Sequence, residues 1–237
     1  MQASLLLLSA TVQEARAGVD ALQGGALACD WGQAWHARVS TSDVVLLAAG
    51  VGKVNTAAGL ALALERWQPP AVIQFGIGGA YLGSFLSNGM AAVAASELHI
   101  DCGAGEGAAW QDLRALGLPL LAGPPALFNQ IPTDPGLSRA LADAAGLPVV
   151  PFATSERVTA DFDESERLQS AFDVAIESME GAAAAQVCAA RGVPFAEVRA
   201  VSNVVGERNR AAWDVPGAIR CIGRVLETAL PVLAVGS

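Results

Sequence analysis

The chain of 237 residues is longer than the commonest domain size yet within the reach of one α/β domain, and no Ser/Pro-rich or charge-rich linker divides it, so residues 1–237 read as a single domain. Hydrophobic residues make up 53% of it and its mean hydropathy is +0.42, enough for a large core and contrary to a disordered chain. Fourteen basic against 23 acidic residues give a formal charge of −9, which opposes binding to nucleic acid or to an anionic membrane and leaves a small molecule as the expected ligand.

Residues 1–10 lack a basic n-region, residues 5–8 are too short for a signal h-region, and no apolar run approaches the roughly 20 residues of a membrane helix. The expectation is a cytoplasmic protein with no membrane partner. Residues 5–8 form a first apolar strand, and residues 12–22 suit a helix. A weakly patterned stretch over 31–39 and an apolar run over 44–49 predict a hairpin feeding a buried strand that stops at Gly50-Val51-Gly52. Residues 57–67 predict a helix halted by Pro69-Pro70. A buried strand over 71–75 then leads into Gly76-Ile77-Gly78-Gly79, which reads as a glycine loop at a strand's carboxyl end, the usual ligand position of an open α/β sheet.

Further strands are expected over 90–96, 149–152 and 195–201, an Ala-rich helix over 180–191 and a terminal helix over 213–233. Long loops are expected over 101–132, where periodicity is weak and Gly, Pro and Ala abound. Alternating strands and helices predict a three-layer α/β fold, a central, mostly parallel mixed sheet flanked by helices. Cys29, Cys102, Cys188 and Cys221 are scattered, form no CxxC pair and have no histidine at zinc spacing, so they read as structural thiols of a reducing compartment.

Taken singly, the motifs are ambiguous. Gly76-x-Gly78-Gly79 has neither dinucleotide-site nor P-loop spacing. Glu180 in Ser178-Met179-Glu180-Gly181 stands where a strand turns into a helix, as a functional carboxylate or as an acid favoured by the helix dipole. Glu14 has the same two readings at the first strand-helix junction. Asn203 follows Ala200-Val201-Ser202 and is equally readable as a turn residue.

Together they are specific. Gly50-Val51-Gly52-Lys53-Val54-Asn55, Gly76-Ile77-Gly78-Gly79, Glu177-Ser178-Met179-Glu180-Gly181-Ala182-Ala183 and Val198-Arg199-Ala200-Val201-Ser202-Asn203 resemble, in order and spacing, the purine nucleoside phosphorylase and methylthioadenosine nucleosidase superfamily. Within it, the Met-Glu-Gly segment and Ser202-Asn203-x-Val205-Gly206-x-Arg208 look most like the futalosine hydrolases, nucleosidases that release hypoxanthine. The resemblance implies a purine nucleoside and water as reactants, no metal or organic cofactor, and a homodimer or higher homo-oligomer.

Carried over residue by residue, it implies Glu180 against the ribose 2′ and 3′ hydroxyls, Met179 on the sugar's apolar face and Glu14 as the base that deprotonates water. It puts Gly78 and Gly79 beside the substrate, and Ser155 and Val158 in the purine-flanking segment. Asn203 stands where adenine-specific nucleosidases have an Asp; an amide donates a hydrogen bond but no proton, which suits a 6-oxopurine without excluding adenine. Ile77 replaces a polar residue found near the attacking water in related nucleosidases. Arg208, Arg210, Arg157 and His99 are the cations available to a benzoate arm, each equally readable as a structural or solvated charge.

Adenine-releasing nucleosidases are the nearest rivals. A phosphorylase would need an anion site; the Gly-Asp-Pro-x-Arg segment of bacterial purine phosphorylases has no counterpart near the amino terminus, where Arg16 is the only basic residue, though Asn88-Gly89 follows the glycines. A noncatalytic nucleoside binder would have no need of both Glu14 and Glu180.

Overall fold

The computed structural model describes residues 2–233. The amino-terminal part runs β1 (Leu5–Ser9), α1 (Val12–Leu22), β2 (Gly25–Leu27), β3 (Gln33–Val39), β4 (Ser42–Ala48), α2 (Lys53–Trp67), β5 (Val72–Ala80) and β6 (Ala91–His99). After the short β7 (Gly103–Ala104), β8 (Gln111–Asp112) and β9 (Gln130–Pro132) come α3 (Pro135–Ala145), β10 (Val149–Thr154), α4 (Phe162–Phe172), β11 (Ile176–Ser178), α5 (Gly181–Arg191), β12 (Phe195–Val204) and α6 (Val215–Leu233).

One mixed sheet orders these strands β11-β10-β6-β12-β5-β1-β4-β3-β2, with β9 beside β6. Parallel ladders join β4, β1, β5 and β12 in turn, and β6 to β10 to β11; antiparallel ladders join β12 to β6, β11 to β5, and the β2-β3-β4 meander. Helices α1, α3 and α6 cover one face, α2 and α5 the other. Two-sided burial explains the unbroken apolar run of β1: alternate residues point to opposite faces, so Leu5 and Leu7 enter the core under α1 and α6 while Leu6 and Leu8 enter that under α2 and α5.

The glycines of Gly76-Ile77-Gly78-Gly79 do not form a loop. They continue β5, paired in parallel with Arg199–Asn203 of β12 and, at Gly79 and Ala80, antiparallel with Glu177 and Ile176 of β11. Because β11 also pairs with β10, the strands β5, β12, β6, β10 and β11 close into a ring at one end of the sheet. Close approach is what needs the glycines: a Cβ on Gly78 would lie 2.7 Å from Ile176 Cγ2 and 2.9 Å from the Glu177 carbonyl oxygen. Asn203 likewise lies inside β12, just past an irregularity between Val201 and Asn203, and is not a turn residue.

Two helices lay outside the sequence reading. α3 starts with Asp134 capping the Leu137 amide at 2.8 Å and Pro135 in its first turn. α4, also capped by an aspartate, Asp161, is so polar that only Ser165 of it is buried. The stretch 101–132 is mostly loop, pinned by Asn129, whose side chain bonds the His99 and Cys102 carbonyls and the Leu113 amide. Among the described residues no helix is long and apolar enough to cross a membrane.

Candidate active site

The carboxyl ends of β1, β5 and β12 and the start of α5 converge on a cleft of about 270 Å³ lined by Glu14, Ile77, Gly78, Gly79, Val158, Met179, Glu180, Arg199, Asn203 and Arg208, among others. Of the eight residues singled out from sequence, only Ser155 is missing from the lining. Its hydroxyl donates to the Arg157 carbonyl at 2.6 Å, and it borders a separate, wider cleft beside α4.

Glu14 caps its own helix and also lines the cleft. It is the third residue of α1 and completes a capping box: its Oε2 accepts from the Thr11 amide and hydroxyl, both at 2.8 Å, while the Thr11 hydroxyl accepts from the Glu14 amide at 3.1 Å. Its Oε1 reaches across the sheet edge to accept from the Ile77 amide at 3.0 Å. A carboxylate has about four acceptor sites, so a reacting water can still be held.

Glu180 stands at the N-cap of α5 but caps nothing. Its side chain turns away to accept from the Gly52 amide at 3.0 Å and from Arg199 at 3.3 Å. Gly52, at φ 91°, and its neighbours place that amide: a Cβ there would lie 2.6 Å from Glu156, whose carboxylate bonds the Lys53 amide at 3.0 Å. Burial pushes the Glu180 carboxyl above its ordinary range, and the charges of Glu14 and Glu197 add to this; Arg199 and the Gly52 amide oppose it.

Arg199 connects the two carboxylates. Sequence reasoning quoted it within a motif and gave it no role, although Arg199 and Glu197 at alternate positions of an apolar strand are themselves a signal, since charges on one buried face need partners. Its side chain is 1% exposed; it lies 2.6 Å from Glu197, 3.3 Å from Glu180 and 3.9 Å from Glu14, and donates to the Ile77 carbonyl at 3.2 Å. Burial works against its charge, but the three carboxylates outweigh that and hold it protonated. Gly76 makes the room, because a Cβ there would overlap Glu14 and stand 2.7 Å from the guanidinium.

Asn203 accepts from the Ser202 hydroxyl at 2.8 Å through Oδ1 and donates from Nδ2 to the Val204 carbonyl at 2.9 Å, which leaves one amide N–H for a ligand. Glu177, also on the cleft wall, was not foreseen as a site residue. It accepts from Tyr81 at 2.8 Å and from the Thr159 hydroxyl at 2.6 Å and amide at 3.1 Å, so it ties the segment that follows β10 to the ring of strands.

The four benzoate candidates separate. Arg208 lines the cleft with its guanidinium 5.7 Å from the Trp213 ring. Arg210 flanks the same ring from outside the lining, and Arg157 is ion-paired to Glu164 in the wider cleft. His99 is 5% exposed, bonded to Gln186 at 3.1 Å, and pushed down to about 4 by burial and the Lys53 charge, so it is a neutral structural histidine. Among the described residues no cluster of His, Cys, Asp and Glu suits a metal ion, and Cys29, Cys102, Cys188 and Cys221 are free thiols.

Residues 32–230 match the model of the phosphorylase superfamily. The chain belongs to that superfamily. It is 38% identical to the futalosine hydrolase of Thermus thermophilus over 83% of this chain and 85% of that one, and 31% identical to a 5′-methylthioadenosine/S-adenosylhomocysteine nucleosidase of a Geobacillus species over 75% of each. The native structure of Helicobacter pylori futalosine hydrolase shares its fold, with a TM-score of 0.82 at 19% identity over 95% of this chain and 96% of that one. Within the superfamily this protein is a nucleosidase, an enzyme that hydrolyses an N-glycosidic bond.

Proposed function

We propose that this nucleosidase cleaves futalosine to hypoxanthine and dehypoxanthine futalosine, a step of the alternative menaquinone pathway. The observation that carries the proposal is the convergence of Glu14 and Glu180 on one buried guanidinium at the mouth of β5, with an amide, Asn203, lining the same cleft farther along β12. The 38% identity to a futalosine hydrolase supports the choice of substrate.

Breaking C1′–N9 leaves positive charge on the sugar and negative charge on the purine. Glu180 accepts from the ribose 2′ and 3′ hydroxyls and stabilises the cationic sugar; Met179 packs on the sugar's apolar face. Glu14 takes a proton from water, which attacks C1′. Arg199 holds both carboxylates in place. Gly78 and Gly79 leave the wall flat for the nucleoside, and Val158 flanks the purine, with Ser155 behind it shaping the segment rather than touching the base. The free N–H of Asn203 donates to N7 or O6, and water protonates the departing hypoxanthine. Of the four candidate cations Arg208 alone lines the cleft, which supports it as the group that meets the benzoate. No metal or organic cofactor enters these steps.

Phosphate is a poor fit as nucleophile, because the one deeply buried cation of the cleft, Arg199, is already shared by Glu197, Glu180 and Glu14. The second reading, an adenine-releasing nucleosidase for methylthioadenosine, adenosylhomocysteine or aminodeoxyfutalosine, is favoured by the 31% identity to such an enzyme and by the ability of an amide to pair with adenine N6 and N7. Phosphate-free incubation with futalosine, aminodeoxyfutalosine, methylthioadenosine and inosine, followed by chromatography of the free base, decides. Hypoxanthine from futalosine is the expected product; adenine establishes the second reading, and turnover only with added phosphate defeats both.

A further inference from the structure

Behind Arg199, away from the cleft, lie two more carboxyl groups that the proposed chemistry does not use. Glu97 of β6 and Glu197 of β12 are each 0% exposed. Two of their four oxygens are bonded: Glu97 Oε2 accepts from the Thr154 hydroxyl at 2.6 Å, and Glu197 Oε1 accepts from Arg199 Nε at 2.6 Å. The remaining two, Glu97 Oε1 and Glu197 Oε2, have no donor from any other residue. Both crowd the Cα of Gly181, where a methyl group would overlap the two of them, so they face each other beneath the first turn of α5. Two ionised carboxylates in contact and out of water repel strongly, while one proton between them satisfies both orphaned oxygens at once.

We propose that Glu97 and Glu197 share a single proton and form a positioning pair that fixes the charge and aim of Arg199, and through it of Glu14 and Glu180. The proton sits on Glu97 Oε1 and is donated to Glu197 Oε2. Glu97 is then neutral and Glu197 carries the charge that Arg199 meets. Burial and the Glu197 charge both push the Glu97 carboxyl well above the ordinary range, against the Thr154 hydroxyl and Arg199. The charges that act on Glu97 are those of Glu197 and Arg199; buried Gln74, level with Glu197 in the β5–β12 register, and His99, two residues along β6 from Glu97, share the same face, and the Ala182 amide at the head of α5 donates to Thr154 Oγ1 at 2.8 Å.

This inference rests on the roles proposed for Glu14 and Glu180, and its test has one readout independent of them. In the infrared spectrum of the wild-type protein at neutral pH, a protonated buried carboxyl gives a carbonyl band that Glu97→Gln removes; absence of that band overturns the proposal whatever the substrate proves to be. The second readout is the acid limb of kcat/KM against pH, measured with the nucleoside that the chromatographic assay shows to be cleaved. Gln at position 97 keeps the neutral donor, so Glu97→Gln leaves the limb in place. The double variant Glu97→Gln/Glu197→Gln removes one negative charge, frees Arg199 to lower the Glu180 carboxyl, moves the limb to lower pH and reduces kcat about tenfold. A limb displaced by Glu97→Gln alone means that Glu97 is ionised, and a folded double variant with an unmoved limb means that the pair does not act on the site; either result overturns the proposal.

Discussion

At the scale of single residues, the site is a contest over one guanidinium. Glu14, Glu180 and Glu197 all hold Arg199, so replacing any of them changes what the others feel. Glu14→Gln is a clean test of the base, because Gln at the third helical position preserves the capping box while losing basicity; kcat falls about a hundredfold or more with little change in Tm. Glu180 must be ionised to face a cationic sugar, and its folded carboxyl titrates above the ordinary range because it is buried. Activity is therefore present at higher pH and lost as pH falls through a midpoint above that of a free glutamate, which a kcat/KM profile reads directly. The stability that Glu180 contributes runs the other way. With the folded value raised, it is present in full below the unfolded value and lost as pH rises through the folded one. Arg208→Ala raises KM for futalosine about tenfold and leaves that for inosine, which lacks the carboxylate, unchanged. Equal losses for the two substrates would remove Arg208 from benzoate recognition.

At the scale of elements, the strands that start the site were legible because apolar runs abut caps and glycines: β1 into α1, β4 into α2, and β11 into α5. What escaped had physical reasons. Gly76-Ile77-Gly78-Gly79 carries no strand signal of its own, since β-propensity measures side-chain packing and glycine has none; only the approach of β11 on one side and β12 on the other makes it a strand. α4 offers only a thin apolar stripe, Leu168 and Phe172, amid polar residues, too short to give a clear helical period. Arg199 was hidden because two of its three carboxylate partners, Glu14 and Glu180, lie in distant parts of the chain. The two inner glycines have separable duties. Gly78→Ala puts a methyl against the Glu177 carbonyl, loosens the ring and lowers stability by about 1–3 kcal/mol in a denaturation experiment. Gly76→Ala displaces Glu14 and Arg199, and its larger effect is on kcat.

At the scale of the whole molecule, Val51 and Val158 on the cleft lining are 48% and 38% exposed, and Val54, Leu82, Phe85 and Phe162 elsewhere are exposed at 44–75%. Apolar residues of this size left in water near a site favour association, and the expected state is a homodimer or higher homo-oligomer; a monomer by sedimentation at assay concentration would contradict this. The charge cluster has another consequence. Arg199 is held from α1, from its own strand and from the head of α5, which lies on the opposite face of the sheet from α1. Arg199 cannot be withdrawn without stranding buried carboxylates, at a cost of about 3–5 kcal/mol. In hydrogen-exchange terms the Ile77 amide, which donates to Glu14, is protected as long as the sheet itself, and exchanges only when the molecule opens globally. Heat then inactivates the enzyme at the temperature that unfolds it, with no earlier melting of the catalytic centre.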